Sequence, residues 1–448
     1  MADLHLSLDR QAGGLARQVA GELREAVRTG RLPAGTRLPA SRDLARDLAV
    51  SRGVVVEAYE QLVAEGFLES RIGAGTTVAA VTIEEPASPA DASGDFGGRP
   101  TSPDLGAFPR QAWSAAYRHV LATLPHDAFD YGDPGGVPEL RGELAAYLKR
   151  VRAARAEPEN VVVVTGVAQG LSLVVQALGP LRLATELPTS ERQTPLLRRA
   201  GAELVGVPVD DEGIDVAELA RSGARAVLLT PAHHYPTGVV LSPRRRAELI
   251  SWAAKTGATI LEDDYDAEFR FDREPVGCLQ GLAPARVVLA GSVSKALAPG
   301  LRLGWLVAPA ALAAELRKVR SEFDLGSPVL DQYTLAHFIA TGAYDRHLRR
   351  MRREYRARRD ALVGALAERF PEMRVRGISA GLHLFAELPP EWDARDFAAQ
   401  AVAAGLAAEP VAGPAVVMGF ARWPGHRLAA AVREMRSPGP APRSRRPG

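Results

Sequence analysis

Cysteine is almost missing from this chain of 448 residues: Cys278 is the only one, so no intrachain disulfide can form and a cross-linked secreted scaffold is excluded. Lysine is nearly as scarce. Of 55 basic residues only four are lysines, namely Lys149, Lys255, Lys295 and Lys318. Arginine keeps its charge at any physiological pH, so chemistry that needs a deprotonated amine has few candidates here. The N-terminal stretch Met1–Asp9 lacks a charged region followed by an apolar one, and no secretory signal is expected. Long apolar runs are also lacking. The most apolar stretch, 161–178, carries Thr165, Gln169, Ser172 and Gln176, which reads as a buried strand and then a helix rather than a membrane span. No membrane partner and a cytoplasmic location are therefore expected. A net charge of +2 favours no class of partner.

With 46% apolar and 24% charged residues, the composition is that of an ordinary globular protein, and the length suits two or three domains. Residues 1–78 are dense in helix signals. Residues 79–97, rich in Ala, Pro, Ser and Asp, read as a flexible linker. From 98 to 436 short β-branched runs (161–164, 204–209, 226–229, 259–261 and 287–290) alternate with helical stretches. That alternation predicts an α/β domain with a mostly parallel sheet and helices on both faces. Longer helices at 312–323 and 345–370 and a strand near 382–388 suggest a smaller α+β subdomain from about residue 325. The tail 437–448 is Pro-rich and basic and reads as disordered.

In the first segment Leu15, Val19, Leu23 and Val27 recur every four residues, the mark of an amphipathic helix ending before Gly30. Ser41 is placed to cap a second helix (42–48) and Ser51 a third, which runs to about Glu65 with Val55, Tyr59 and Leu62 inward. Two short helices across a tight turn make a helix-turn-helix, and GFLESRIGAGTTV (66–78) reads as a hairpin wing. Ten Arg are balanced by ten Asp or Glu over residues 1–78, so any nucleic-acid binding must come from local segregation of arginine. The string from Gly30 to Val78 resembles the GntR-type winged helix, whose elements G-x-L-x-x-G-x-x-L-P-x-x-R, V-S-R and A-Y-x-x-L recur here in order. The resemblance implies DNA contacts from Arg42, Ser51 and Arg52 at the helix starts, and from Arg71, Gly73 and Gly75 in the wing.

Four pieces of the second segment fall at the C-terminal ends of predicted strands, where open α/β sheets bind ligands. TGVAQGL (165–171) starts a helix near Ala168 whose free amides suit a phosphate. LEDDYDAEF (261–269) offers acids that could hold a metal, pair with a cationic ring nitrogen, or merely cap a helix. GSVSKALAPGLRLGW (291–305) puts Lys295 among small and apolar residues, where desolvation favours a neutral amine and a Schiff base, beside the anion donors Ser292, Ser294 and Arg302. TPAHHYPTG (230–238) carries His233 and His234, but neighbouring histidines on an irregular loop point apart, and no metal site is expected.

Together with DLGAFPRQAW (104–113) and YGDPGGVPELR (131–141), these motifs resemble fold-type I enzymes dependent on pyridoxal 5′-phosphate (PLP) over residues 98–436. With the winged helix in front, the chain is similar to the MocR/GabR family of regulators. The resemblance implies Lys295 as the Schiff-base lysine, Asp263 on the pyridinium nitrogen and Tyr265 on the O3′ oxygen. It implies Ser292, Ser294, Arg302 and the Ala168 and Gln169 amides on the phosphate, Tyr131 reaching a neighbouring subunit's phosphate, and Tyr235 where aminotransferases carry an O3′-binding Asn. Two departures bear on activity. Ser190 stands at a usual aromatic position, and Val416 and Val417 stand where aminotransferases place a carboxylate-binding Arg, with only Arg422 near. The expected function is a DNA-binding transcriptional regulator with a PLP-bound sensor and dimerisation domain, an amine or amino-acid effector and paired half-sites, with weak or no transaminase turnover. The alternative is an active aminotransferase with an appended DNA-binding domain.

Overall fold

The four-residue spacing near the N-terminus does form one helical face. In a computed structural model of the chain, α1 (Leu15–Arg28) buries Val19, Leu23 and Val27, and Gly30 then turns the chain at φ +73°. The structure describes residues 6–71, 75–80, 99–190, 193–266, 268–271, 276–377 and 379–436. The wing position Gly73, most of the expected linker (81–97) and the tail 437–448 lie outside them. Two units form, Met1–Gly94 and Asp95–Gly448.

In the first unit α2 (Ser41–Asp47) and α3 (Arg52–Ala64) pack with α1 around Val19, Leu23, Leu44, Val55 and Leu62, all at 1% exposure or less. The wing follows as β1 (Leu68–Arg71) paired antiparallel with β2 (Gly75–Val78). The caps differ from expectation. Ser41 is the first residue of α2, and Ala40 holds the N-cap position. The Ser41 hydroxyl instead accepts a hydrogen bond from Arg52 Nε at 3.3 Å. Ser51 does occupy the N-cap of α3 in extended backbone, but its side chain bonds no helix amide.

The second unit is built on an eight-stranded sheet in the order β3-β10-β9-β8-β7-β4-β5-β6. These strands are β3 (Val161–Val164), β4 (Leu181–Leu187), β5 (Ala202–Asp210), β6 (Gly213–Ile214), β7 (Ala226–Leu229), β8 (Thr259–Asp263), β9 (Val287–Ser292) and β10 (Gly304–Val307). All four valines of β3 are fully buried, as expected of a strand covered on both faces. β9, β8, β7, β4 and β5 run parallel, while β10 and β6 are antiparallel to their neighbours. The antiparallel pairings of β10 make β3 run the same way as β9, so β3, β4, β7, β8 and β9 all end on one edge. Three strands, β4, β6 and β10, carry no clear signal in the sequence: β4 mixes Arg182, Thr185 and Glu186 into its run, β6 is two residues long, and β10 is four residues between loops.

A second sheet of four antiparallel strands, ordered β11-β12-β14-β13, forms the smaller C-terminal part: β11 (Arg374–Arg376), β12 (His383–Glu387), β13 (Ala407–Val411) and β14 (Ala415–Gly419). The long helix Ala343–Arg369 and the helix Gly425–Glu434 pack beside it. No helix of the described residues is long and apolar enough to cross a membrane.

The end of β8 is fixed by charge. Asp264 takes both forks of Arg152, Nε to Oδ2 and Nη2 to Oδ1 at 2.7 Å each, and Arg152 also donates to the Val276 carbonyl. Both side chains of the pair are buried. Removing one member strands the other in a dry site, which typically costs about 3–5 kcal/mol. Arg152→Ala is expected to lower stability by roughly that amount in urea denaturation. A loss within about 0.5 kcal/mol, the level of an ordinary surface substitution, contradicts a structural role for the pair.

Candidate functional site

The strand ends on one edge of the large sheet surround a cavity of about 620 Å³, lined among others by Ala168, Ser190, Gln193, Tyr235, Asp263, Tyr265, Ser292, Ser294, Lys295 and Arg302. Residues spread over 135 positions of sequence thus meet because β3, β4, β7, β8 and β9 deliver them to the same place.

At one end lies an anion cradle. The helix Val167–Leu178 begins one residue earlier than expected, after Gly166 at φ +120°. Its first amides have no helical acceptor. The Arg302 guanidinium lies against Gly166, so closely that an added Cβ there would sit 3.1 Å from Nη2. Arg302 itself holds a left-handed backbone (φ +52°), a strained state for a residue with a side chain. Ser292 and Ser294 line the same region. Gln169 does not reach the cavity with its side chain, which accepts from the Thr165 amide at 2.7 Å and donates to Asp324.

Asp263 is 6% exposed at the end of β8. One carboxylate oxygen accepts from Gln193 Nε2 at 3.1 Å; the other, Oδ1, is buried with no hydrogen-bond partner among the described residues. Burial pushes the group up to about 7. An unmatched buried carboxylate oxygen facing a cavity is suited to a cationic N–H donor. The acids on either side of it are spoken for. Glu262 accepts from the Leu279 and Gln280 amides at 2.9 and 3.0 Å and so caps a short helix, while Asp264 holds Arg152.

Lys295 is half-buried and donates to Thr101 Oγ1 at 3.1 Å. Tyr265 sits beside a buried network: its hydroxyl lies 3.2 Å from His233 Nδ1, which is 2.9 Å from Asp266 Oδ2, and His233 Nε2 approaches the Gly377 carbonyl at 3.3 Å. Burial first, and then Asp266, raise the Tyr265 phenol well above its ordinary range. The ligand atoms of His233, Asp266 and His383 lie within 4.8 Å of one another, but both ring nitrogens of His233 are taken up by these contacts. His234 turns the other way, to Thr237 Oγ1 at 2.7 Å. Tyr235 lines the cavity with its hydroxyl 3.4 Å from Glu409.

Other expected residues stand apart. Tyr131 is 83% exposed and does not line the cavity of its own chain. Val416 and Val417 are fully buried in β14, and Arg422 stacks on Trp423. Sequence reasoning missed Thr101, Gln193, Glu186 and Glu409 among the lining residues. Glu186 carried no signal of its own, since β4 is not legible as a strand in the sequence. Thr101 and Gln193 carried none either.

In the first unit Arg42, Ser51, Arg52, Arg71 and Gly75 are all exposed. Arg37, which the motif reading passed over, bridges to Thr77 of the wing and lays its guanidinium against Gly75.

Comparison with known proteins agrees with these two parts. Residues 103–424 match the family Aminotransferase class I and II, and residues 15–78 match Bacterial regulatory proteins, gntR family. The chain is 34% identical over 395 residues to the HTH-type pyridoxine biosynthesis transcriptional regulator PdxR of Corynebacterium glutamicum, covering 86% of this chain and 85% of that protein. It is 33% identical over 435 residues to the HTH-type transcriptional regulator TauR of Rhodobacter capsulatus, covering 89% of each. Among solved structures, an archaeal alanine:glyoxylate aminotransferase superposes with a TM-score of 0.68 at 26% identity, over 75% of this chain and 88% of that one. The α-aminoadipate aminotransferase of Thermus thermophilus, complexed with N-(5′-phosphopyridoxyl)-L-leucine, gives 0.68 at 25% identity over 75% and 90%.

Asp263 also makes a pH prediction. Its folded value of about 7 lies above the ordinary 3.8, so its contribution to stability is present in acid and is lost as the pH rises through 7. In protein freed of any cofactor, Asp263→Asn should gain stability relative to wild type as the pH rises from 4 to 7 and hold that gain above 7. Urea denaturation across that range measures it, and a difference that does not change with pH contradicts the assignment.

Proposed function

Since the chain belongs to the MocR/PdxR-type family, GntR-type transcriptional regulators that carry an aminotransferase class I and II domain, we propose that it binds DNA through its first unit and senses an amine or amino acid through PLP held in the second. Aminotransferases of this family use PLP in general. The observation that carries the reading for this chain is the buried, unmatched oxygen of Asp263, in one cavity with Lys295 and the Arg302–Gly166 cradle.

The residues fit the cofactor. The Val167–Leu178 helix start, Ser292, Ser294 and Arg302 supply amide, hydroxyl and guanidinium donors for a phosphate. Asp263, as a carboxylate, keeps a ring nitrogen protonated, and Gln193 orients it. Tyr265, backed by His233 and Asp266, presents its phenol to the ring oxygen. Lys295 supplies the amine, held towards the cavity by Thr101. Bound there, PLP supplies an aldehyde that captures amines and a ring that withdraws electrons. Any movement of Lys295 away from Thr101 would change what the Thr101 segment contacts.

On the DNA side, Arg42 and Arg52 at the starts of α2 and α3 grip phosphates or base edges, and Arg71 with Gly75 follows the groove from the wing. The protein works as a homodimer reading paired half-sites, in the cytoplasm. In support, Phe129 and Tyr131 (51% and 83% exposed) and Phe323 and Leu325 (68% and 53%) are large apolar residues in solvent. The two segments neighbour each other through Pro134 and Gly326. Tyr131 would then reach the neighbouring subunit's phosphate. Val417 at the usual arginine position favours a sensor over a fast transaminase.

Purified protein should show a visible absorbance band that Lys295→Ala abolishes. It should also retard DNA taken from upstream of its own gene, with the retardation altered by PLP or by added amines. A colourless wild type with no PLP by mass spectrometry, or turnover of amino acids with a keto acid at rates usual for enzymes, about 1–1,000 per second, overturns the sensor reading.

A further inference from the structure

One cation lining the cavity has no part in the roles above. Among the described residues, the arginines of the lining are Arg302, at the phosphate cradle, and Arg99. Arg99 is half-buried and is held in place by its neighbour. Pro100 is buried, with its backbone directly on Gly419 of β14: a Cβ added to Gly419 would lie 2.3 Å from the Pro100 carbonyl oxygen. Residue 417 shares a strand face with 419, because side chains alternate along a strand. That residue is Val417, fully buried and without charge. Arg422 is engaged with Trp423 at 5.3 Å and does not line the cavity. The positive charge on this side of the pocket therefore comes from the segment that covers β14, not from β14 itself.

That segment also reaches the lysine. Thr101, two residues after Arg99, accepts the hydrogen bond of Lys295 Nζ at 3.1 Å. Arg99 and Lys295 line the same cavity, so a small molecule held beside Lys295 has a guanidinium within that pocket. A guanidinium presents a planar fork of donors that matches a carboxylate in two hydrogen bonds. The lining carries both signs of charge, since Glu409 is there as well, engaged with the Tyr235 hydroxyl. Such a lining suits a ligand that is itself a zwitterion better than a simple amine. We infer that Arg99 binds the carboxylate of an amino-acid effector, in the place that β14 leaves to Val417.

The inference rests on the reading of this cavity as a PLP site. It also bears on regulation. Arg99 stands four residues after Asp95, where the second unit begins. The effector's carboxylate is gripped by the stretch of chain that leads back to the DNA-binding unit.

The test uses the full-length protein freed of cofactor and two reduced conjugates, N-(5′-phosphopyridoxyl)-L-alanine and N-(5′-phosphopyridoxyl)-ethylamine, which differ only in the carboxylate. Wild type should bind the alanine conjugate about tenfold or more tightly than the ethylamine conjugate. Arg99→Gln should bring that ratio to about one while leaving the ethylamine conjugate's affinity unchanged, and Arg99→Lys should keep part of it. A wild-type ratio near one, a ratio that Arg99→Gln leaves intact, or an equal loss for both conjugates overturns the inference. If wild type binds PLP and both conjugates equally, this inference alone fails. If it binds neither conjugate nor PLP, the cofactor reading has failed and takes this one with it.

Discussion

A carboxylate sealed at the end of a central strand with one oxygen unmatched is an expensive thing for a protein to keep. Desolvation of such a group is offset only by a hydrogen bond or an opposite charge. Asp263 has half of what it needs from Gln193, and burial raises it to about 7. The other half must come from whatever fills the cavity. Its position depends on β8, and β8 in turn depends on the buried Arg152–Asp264 pair one residue further on and on the Glu262 cap one residue before. Three successive acids therefore divide their work: one closes a helix, one faces the cavity, one anchors the strand.

Around that constraint the site is held by backbone more than by surface charge. Arg302 keeps a left-handed conformation to bring its guanidinium onto Gly166, a strain the surrounding sheet must over-determine. Tyr265 is tied through His233 to the carbonyl of Gly377, which lies between β11 and β12 of the smaller part. The Phe271 amide donates to Ser379 at 2.8 Å and the Gly381 amide to Phe269 at 2.7 Å, so the loop after β8 is joined directly to the β11–β12 segment. A displacement of the Tyr265 hydroxyl is thereby felt in the smaller sheet, and a displacement of Lys295 is felt at Thr101. These are the contiguous contacts through which binding in the cavity can bias the rest of the chain.

Much of this was legible in the sequence because the signals were local. The helix face of Leu15, Val19, Leu23 and Val27, the wing, and the all-valine β3 are periodicities that tertiary structure had no reason to override. Lys295 stood out because lysine is rare here, whereas Asp263 was singled out only by the family resemblance. The acids of 261–269 could not be sorted among metal, ring nitrogen and cap from sequence alone, because the partners that decide, Gln193, Arg152 and the 279–280 amides, lie far away in the chain. Thr101, Gln193 and Arg99 were invisible for the same reason: each reaches the cavity through packing between elements that share no motif. The hydroxyl of Ser41 bonds to Arg52 rather than capping α2, a choice made by a contact eleven residues away.

The central claim is that one amine out of four holds the cofactor opposite Asp263. Borohydride reduction of the protein as purified, followed by peptide mass mapping, tests it most directly. A phosphopyridoxyl group on the peptide containing Lys295, and on none containing Lys149, Lys255 or Lys318, is the expected result. Label on another lysine, or none on any after incubation with PLP, would contradict the account.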